Sequence, residues 1–147
     1  MMARVQLEMP AEFLFATEIP VRITDINYAG HLGNDAVLSL LQEARVQFLA
    51  RYGLPEMDIF GVSFIITDSV IVYKAEAFHG EILRFEVTVN DFNRYGCDFV
   101  YRVTEKNSRR EVARAKTGMV FFDYQARRVQ PVPPSFLELF GQGSVTV

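Results

Sequence analysis

Between Asp25 and Arg45 the chain reads DINYAGHLGNDAVLSLLQEAR, an acid, an amide, a glycine and a histidine set directly ahead of a long apolar segment. Asp25 and His31 can take up or release a proton, while Asn27 and Asn34 can orient water or hydrogen-bond a carbonyl. A polar loop that feeds a buried helix also brings backbone N–H groups and the positive end of the helix dipole beside those side chains. Such a place can polarise a carbonyl as negative charge develops on its oxygen. Glu43 and Arg45 lie further along, on the segment that reads as the helix itself.

These residues need elements to hold them. Residues 13–24 alternate, with Phe13, Phe15, Ile19, Val21 and Ile23 on one face and Glu18, Arg22 and Thr24 on the other, which predicts a half-buried strand. Continued past Ile23, that pleat turns Asp25 and Asn27 toward the apolar side, an unusual direction for an acid without a partner or a task. Over residues 34–52 the spacing becomes helical: Val37, Leu40, Leu41, Ala44 and Phe48 form one stripe, and Leu38, Leu49 and Tyr52 widen it, predicting burial on several sides. Asn34 suits the N-cap, Asp35 the first turn, Gly53 a left-handed position after the helix and Pro55 its stop. Strand-like segments follow at 62–78, 82–92, 97–104 and 112–124. Turn chemistry at His79-Gly80, residues 93–96 and residues 106–110 joins them as an antiparallel meander with one packed face. Pro131, Pro133 and Pro134 close the last strand, and residues 135–140 predict one helical turn before a Gly/Ser tail that frays.

The bounds agree with a small-molecule role. A chain of 147 residues with 50% hydrophobic and 22% charged content predicts one domain, residues 1–147, with no linker or repeat. A net charge of −3 argues against a nucleic-acid partner, which calls for a basic face. Cys97 is the single cysteine, so neither a disulfide framework nor a thiolate metal cage is expected, and a reducing compartment is. His31 lacks metal-ligand spacing, and no metal is expected. The N-terminus carries no signal-peptide core and no apolar stretch approaches a membrane span, so a soluble, cytoplasmic protein without a membrane partner is expected.

The order of elements and the segment around Asp25 resemble the hotdog-fold acyl thioesterases of the 4-hydroxybenzoyl-CoA thioesterase type, over nearly the whole chain. That family's segment has the form D-x-D-x-x-G-H-V-x-N followed by a helical E-x-R or E-x-A-R. Asp25, Asn27, Gly30, His31, Asn34, Glu43 and Arg45 occupy the corresponding positions, and Gly80-Glu81 resembles the family's G-D turn. The resemblance implies an α+β hotdog fold, a curved antiparallel sheet wrapped around a long central helix. It implies hydrolysis of an acyl-CoA thioester to free acid and coenzyme A, without a cofactor, by a homodimer or homotetramer. One departure matters: Asn27 stands where many relatives carry the catalytic carboxylate. An amide neither acts as a general base at neutral pH nor forms an acyl-carboxylate anhydride. The acid role passes to Asp25, two residues earlier, or to Glu43, since some hotdog thioesterases place their acid on the central helix. Val37 replaces a frequent aromatic residue, which bears on the acyl pocket rather than the chemistry.

In the implied mechanism, backbone N–H groups of residues 30–32, with His31 or Asn27, polarise the thioester oxygen. Asp25 or Glu43 then activates water, and Gly30, Leu32 and Asn34 border the substrate. Each residue also has a plain structural reading. Asp25 suits a turn carboxylate, His31 a loop filler and Asn34 a cap. Glu43 falls with Ala36, Ser39 and Gln47 on the less apolar helix side, and Gly30 suits a left-handed backbone. Arg45 lies among Leu38, Leu41 and Leu49, which calls for a carboxylate partner in a structural ion pair. Lys74, Arg109, Arg110, Arg127 and Arg128 scatter over strand ends and are assigned no role, and Phe64 and Tyr73 suit either an acyl channel or the core. Two other classes stay open: a hotdog protein that binds acyl-CoA or acyl carrier protein without hydrolysis, favoured by Asn27, and a hotdog dehydratase or hydratase, which the order around Gly30-His31 suits less well.

Overall fold

The computed structural model describes residues 4–141. Strand β1 (Phe15–Pro20) leads through a 3-10 turn (Ile23–Asp25) and a loop into helix α1 (Asn34–Arg51). Then come β2 (Ser63–Tyr73), β3 (Ile82–Asn90), β4 (Gly96–Glu105), β5 (Glu111–Asp123), the short β6 (Arg128–Val129) and α2 (Pro134–Phe140). The strands form one antiparallel sheet in the order β1-β3-β4-β5-β2, with β6 beside β5. Leu40, Leu41, Ala44, Phe48 and Leu49 of α1 are buried in a common core with Phe85, Phe99, Tyr101, Ala115 and Phe121 of the sheet. Phe48 is its aromatic centre, touching the rings of Phe15, Tyr52, Phe99 and Phe140 at centroid distances of 5.4–6.2 Å. This is the α+β hotdog arrangement, a sheet wrapped around one long helix.

Four local expectations change. The first strand ends at Pro20 rather than reaching residue 24, because Asp25 caps a tight turn: its carboxylate accepts the Arg22 N–H at 2.9 Å and faces the Arg22 guanidinium at 3.3 Å. The pleat therefore does not set the direction of Asp25 or Asn27. Gly33, not Asn34, is the N-cap residue of α1, and no side chain caps that end. Leu38 is 45% exposed, so the apolar arc is narrower than the wheel suggests. The strand after α1 does not open a meander in sequence order. It crosses the sheet to pair with β5 along Phe64↔Phe121 and Ile71↔Ala115, and so becomes an edge. Its residues 74–78 fall outside the strand, although the Lys74 and Ala75 N–H groups still donate to the Val112 carbonyl of β5 at 2.8 and 3.2 Å.

Other features follow the sequence. Gly53 has φ +73°, the left-handed position that ends α1. Cys97 is buried, and burial pushes its thiol well above the usual range. The outer face of the sheet is not simply wet. Val100, between the helix-facing Phe99 and Tyr101, is fully buried, and the N-terminal segment runs over this face. There Arg114 donates to the Leu7 carbonyl at 2.9 Å, and the Arg102 guanidinium lies 5.0 Å from the Phe13 ring centre. The tail beyond residue 141 lies outside the described residues.

Candidate active site

The loop between the 3-10 turn and α1 is stitched to itself. The Asn27 side-chain oxygen accepts the Ala29 N–H at 2.9 Å, an Asx turn, and the Asn27 carbonyl accepts the Gly30 N–H at 3.0 Å. Gly30 sits at φ +85°, a backbone conformation that a side chain there would strain. The Asn27 N–H donates to the His31 carbonyl and the Gly33 N–H to the Asp25 carbonyl, both at 3.0 Å. One further bond ties the loop to the sheet: the Leu32 N–H donates to the Ala77 carbonyl at 2.8 Å, beyond the end of β2. The Leu32 side chain is buried beneath this junction.

The junction encloses a cleft of about 290 Å³ at the head of α1. Val37, Ala77 and Val112 give it apolar wall, and His31, Asn34, Tyr73, Lys74 and Glu76 give it polar rim. The 18 residues of α1 direct their positive dipole end toward this region, and the first-turn N–H groups have no carbonyl within the helix to bond. The Tyr73 hydroxyl donates to the Asn34 carbonyl at 3.1 Å. Burial and the nearby Asp35 carboxylate push the Tyr73 phenol up, so it stays protonated as a donor.

Of the three amides expected to polarise a carbonyl, two are already used, Gly30 by Asn27 and Leu32 by Ala77. Among the described residues, the His31 N–H donates to no backbone carbonyl. The His31 ring lies with Nδ1 3.3 Å from the Leu32 carbonyl oxygen and Nε2 3.9 Å from a Glu76 carboxylate oxygen. A proton on Nδ1, shared with that carbonyl, leaves the lone pair of the neutral ring on Nε2, facing Glu76.

The structure thus brings His31, Leu32 and Asn34 together at one cleft, with Asn27 and Gly30 shaping the loop behind them. It does not bring Asp25 or Glu43 there within one copy of the chain. Asp25 is only 7% exposed, is held by Arg22 and is not among the cleft's walls. Glu43 is exposed in a separate groove of about 390 Å³ with Glu18, Arg22 and Ser39, where it accepts the Gln47 amide at 2.8 Å. Arg45 has the ion pair its position called for, with Nε 2.7 Å from Glu56, and its guanidinium also donates to the Tyr101 hydroxyl at 3.2 Å. Phe64 packs against Phe99 under that guanidinium and is core, whereas Tyr73 lines the cleft. Glu76 is the cleft residue that sequence reasoning missed. It stands in the short stretch KAEAF with no motif around it, and long-range bonds such as that between Leu32 and Ala77 bring it to His31.

Residues 21–140 match the model of the thioesterase-like superfamily. Among solved structures, the chain is similar to Slr0204, a 1,4-dihydroxy-2-naphthoyl-CoA thioesterase from Synechocystis, with 21% identity, a TM-score of 0.79 and coverage of 87% of this chain and 96% of that one. It is similar to the BH1999 gentisyl-coenzyme A thioesterase at 18% identity and a TM-score of 0.73, covering 83% and 98%. It is also similar to the hypothetical protein TT1821 from Thermus thermophilus at 23% identity and a TM-score of 0.76, covering 86% and 96%. At these identities the likeness is one of fold. No curated protein sequence matches the chain.

Proposed function

Because the chain belongs to the thioesterase-like superfamily, we propose that it hydrolyses an acyl-CoA thioester to free acid and coenzyme A in the cleft at the head of α1. The observation that carries this reading is the uncommitted His31 amide at the rim of an apolar-walled cleft beside a helix N-terminus. A thioester oxygen placed there gains a fixed donor and a positive field as the tetrahedral intermediate forms, with no solvent to reorganise. Asn27 and Gly30 support this geometry through the turn, and Leu32 and Asn34 border the acyl group. A carboxylate-activated water completes the reaction. Asp25 serves only if it gives up its bonds to Arg22, and Glu43 only if it arrives from a second copy.

A second copy is part of the proposal. Residues 66–70 of edge strand β2 are exposed on both faces, including Ile66 at 37% and Val70 at 42%. Such an edge invites another strand, and pairing β2 with its own copy gives a homodimer, or half of a homotetramer, with Tyr73 and Lys74 of the cleft beside the junction. Light scattering at micromolar concentration is expected to report an oligomer for the wild type and a monomer for Val70→Lys. A wild-type monomer sinks this part.

The test of activity is thiol release from aliphatic and aromatic acyl-CoAs, with Asp25→Asn and Glu43→Gln alongside. Aromatic substrates come first because two of the similar structures are named for aryl-CoA thioesters. Turnover of at least one substrate is the expected result. Saturable binding without release supports the second reading, a non-catalytic acyl-CoA or acyl-carrier-protein binding protein, which the commitment of Asn27 to a turn favours. Hydration of an enoyl-CoA marks a hydratase instead.

A further inference from the structure

We infer that Glu76 is the general base of this cleft, sharing the hydrolytic water with His31, so that the carboxylate missing at Asn27 is supplied from the segment after β2. The inference rests on the thioesterase reading above and names the group that reading leaves open.

Five observations carry it. The gap of 3.9 Å between His31 Nε2 and the Glu76 carboxylate is too long for a direct hydrogen bond, and it is a span that a single water closes. With Nδ1 given to the Leu32 carbonyl, the neutral imidazole presents an acceptor on Nε2. A water in the gap then donates one hydrogen to Nε2 and the other to Glu76, which leaves an oxygen lone pair for the thioester carbon. The polarising donor, the His31 N–H, belongs to the same residue, so nucleophile and oxyanion site are set by one backbone position.

The Glu76 backbone is also fixed on both sides. Arg110 Nε donates to the Glu76 carbonyl at 3.1 Å, and the next residue, Ala77, holds Leu32. Its carboxylate remains 63% exposed at the cleft, free of the bonds that occupy the others. Asp25 is bonded to Arg22, Glu43 lies in another groove, and Asp35 sits in the first turn of α1. Lys74, a cation of the rim, is turned to Glu111 at 3.7 Å.

The step balances without a further reactant. The water oxygen bonds to the acyl carbon as its proton passes to Glu76, and the carbonyl π pair moves onto the oxygen held by the His31 N–H. That pair returns, the C–S bond breaks, and the thiolate takes the proton back from Glu76. The products are the free acid and the coenzyme A thiol, with Glu76 again a carboxylate.

The experiment is thiol release by the full chain, comparing wild type, Glu76→Gln, Asp25→Asn and Glu43→Gln on the best acyl-CoA of the panel. Loss of general-base action predicts that Glu76→Gln lowers kcat by about a hundredfold or more with KM within about twofold, a larger loss than in either of the other two variants. An unchanged circular dichroism spectrum and Tm, expected for so exposed a side chain, separate this from unfolding. Wild-type turnover retained in Glu76→Gln overturns the inference and leaves the thioesterase reading standing, as does a loss confined to Glu43→Gln or Asp25→Asn. A wild type with no turnover on any substrate overturns both.

Discussion

Arg45→Ala is expected to lower the free energy of unfolding by about 3–5 kcal/mol, the range for removing one partner of a buried ion pair. The guanidinium is 6% exposed, bonded to Glu56 at 2.7 Å and to the Tyr101 hydroxyl at 3.2 Å, and lies 5.8 Å from the ring centres of both Phe64 and Phe99. Truncation leaves the Glu56 carboxylate without its counter-ion beneath a cavity lined by aromatic rings. Tyr101 suffers less, because its hydroxyl keeps Thr117 at 2.8 Å. The loss falls on folding in a second way, since Glu56 belongs to the connection between α1 and β2 and the pair docks that connection onto the helix. Arg45→Met combined with Glu56→Gln should recover most of the loss, because an apolar replacement of similar volume removes the desolvation penalty together with the attraction. Denaturant midpoints of the three proteins decide the matter. A change below about 1 kcal/mol in the single variant, the size of an exposed pair, would mean that water reaches the pair.

His31→Ala is expected to reduce kcat by about a thousandfold with little change in KM, toward the upper part of the range for general acid–base groups. In the proposed mechanism the substitution deletes the Nε2 acceptor for the water yet keeps the backbone N–H assigned to the thioester oxygen, so binding should survive while chemistry does not. In the proposed mechanism His31 and Glu76 act on one water, so the double variant with Glu76→Gln should be scarcely slower than the worse single one. Single-turnover rates on one acyl-CoA measure this directly. A fall of less than about threefold for His31→Ala removes the imidazole from the mechanism.

Local pattern made the helix, the three hairpin-linked strands and the polar loop ahead of α1 legible, because each rests on contacts a few residues apart. The ends of α1 show the limit of that information. Gly53 performs the role its type suggests, whereas Asn34 does not, since Gly33 takes the extended cap position and the Asn34 carbonyl is bonded from Tyr73. The early end of β1 depends on one side-chain choice, Asp25 turning back to Arg22, that competes with the strand pattern and wins. Strand order was legible for the run β3-β4-β5 but not for the places of β1 and β2 at the two edges. The apolar pattern of β2 fits a place beside β3 as well as its actual place beside β5, and nearness in sequence favours β3. The site divides in the same way. His31 and its loop announce themselves by motif, but Glu76 acquires a neighbour through long-range bonds such as that spanning from residue 32 to residue 77.

The loop that carries His31 is anchored at its base by Leu32 and Gly33 and closed within by Asn27, while its tip carries Tyr28 wholly in solvent. Fold and site therefore lean on the base, and almost nothing leans on the tip. Side-chain changes at the exposed Tyr28 and Ala29 that keep the Asn27 turn should cost the fold little, yet they alter the surface that the loop presents to solvent. The chain keeps its innovation and its robustness in separate residues, and a lineage descending from it can explore new molecular clients without first risking its scaffold.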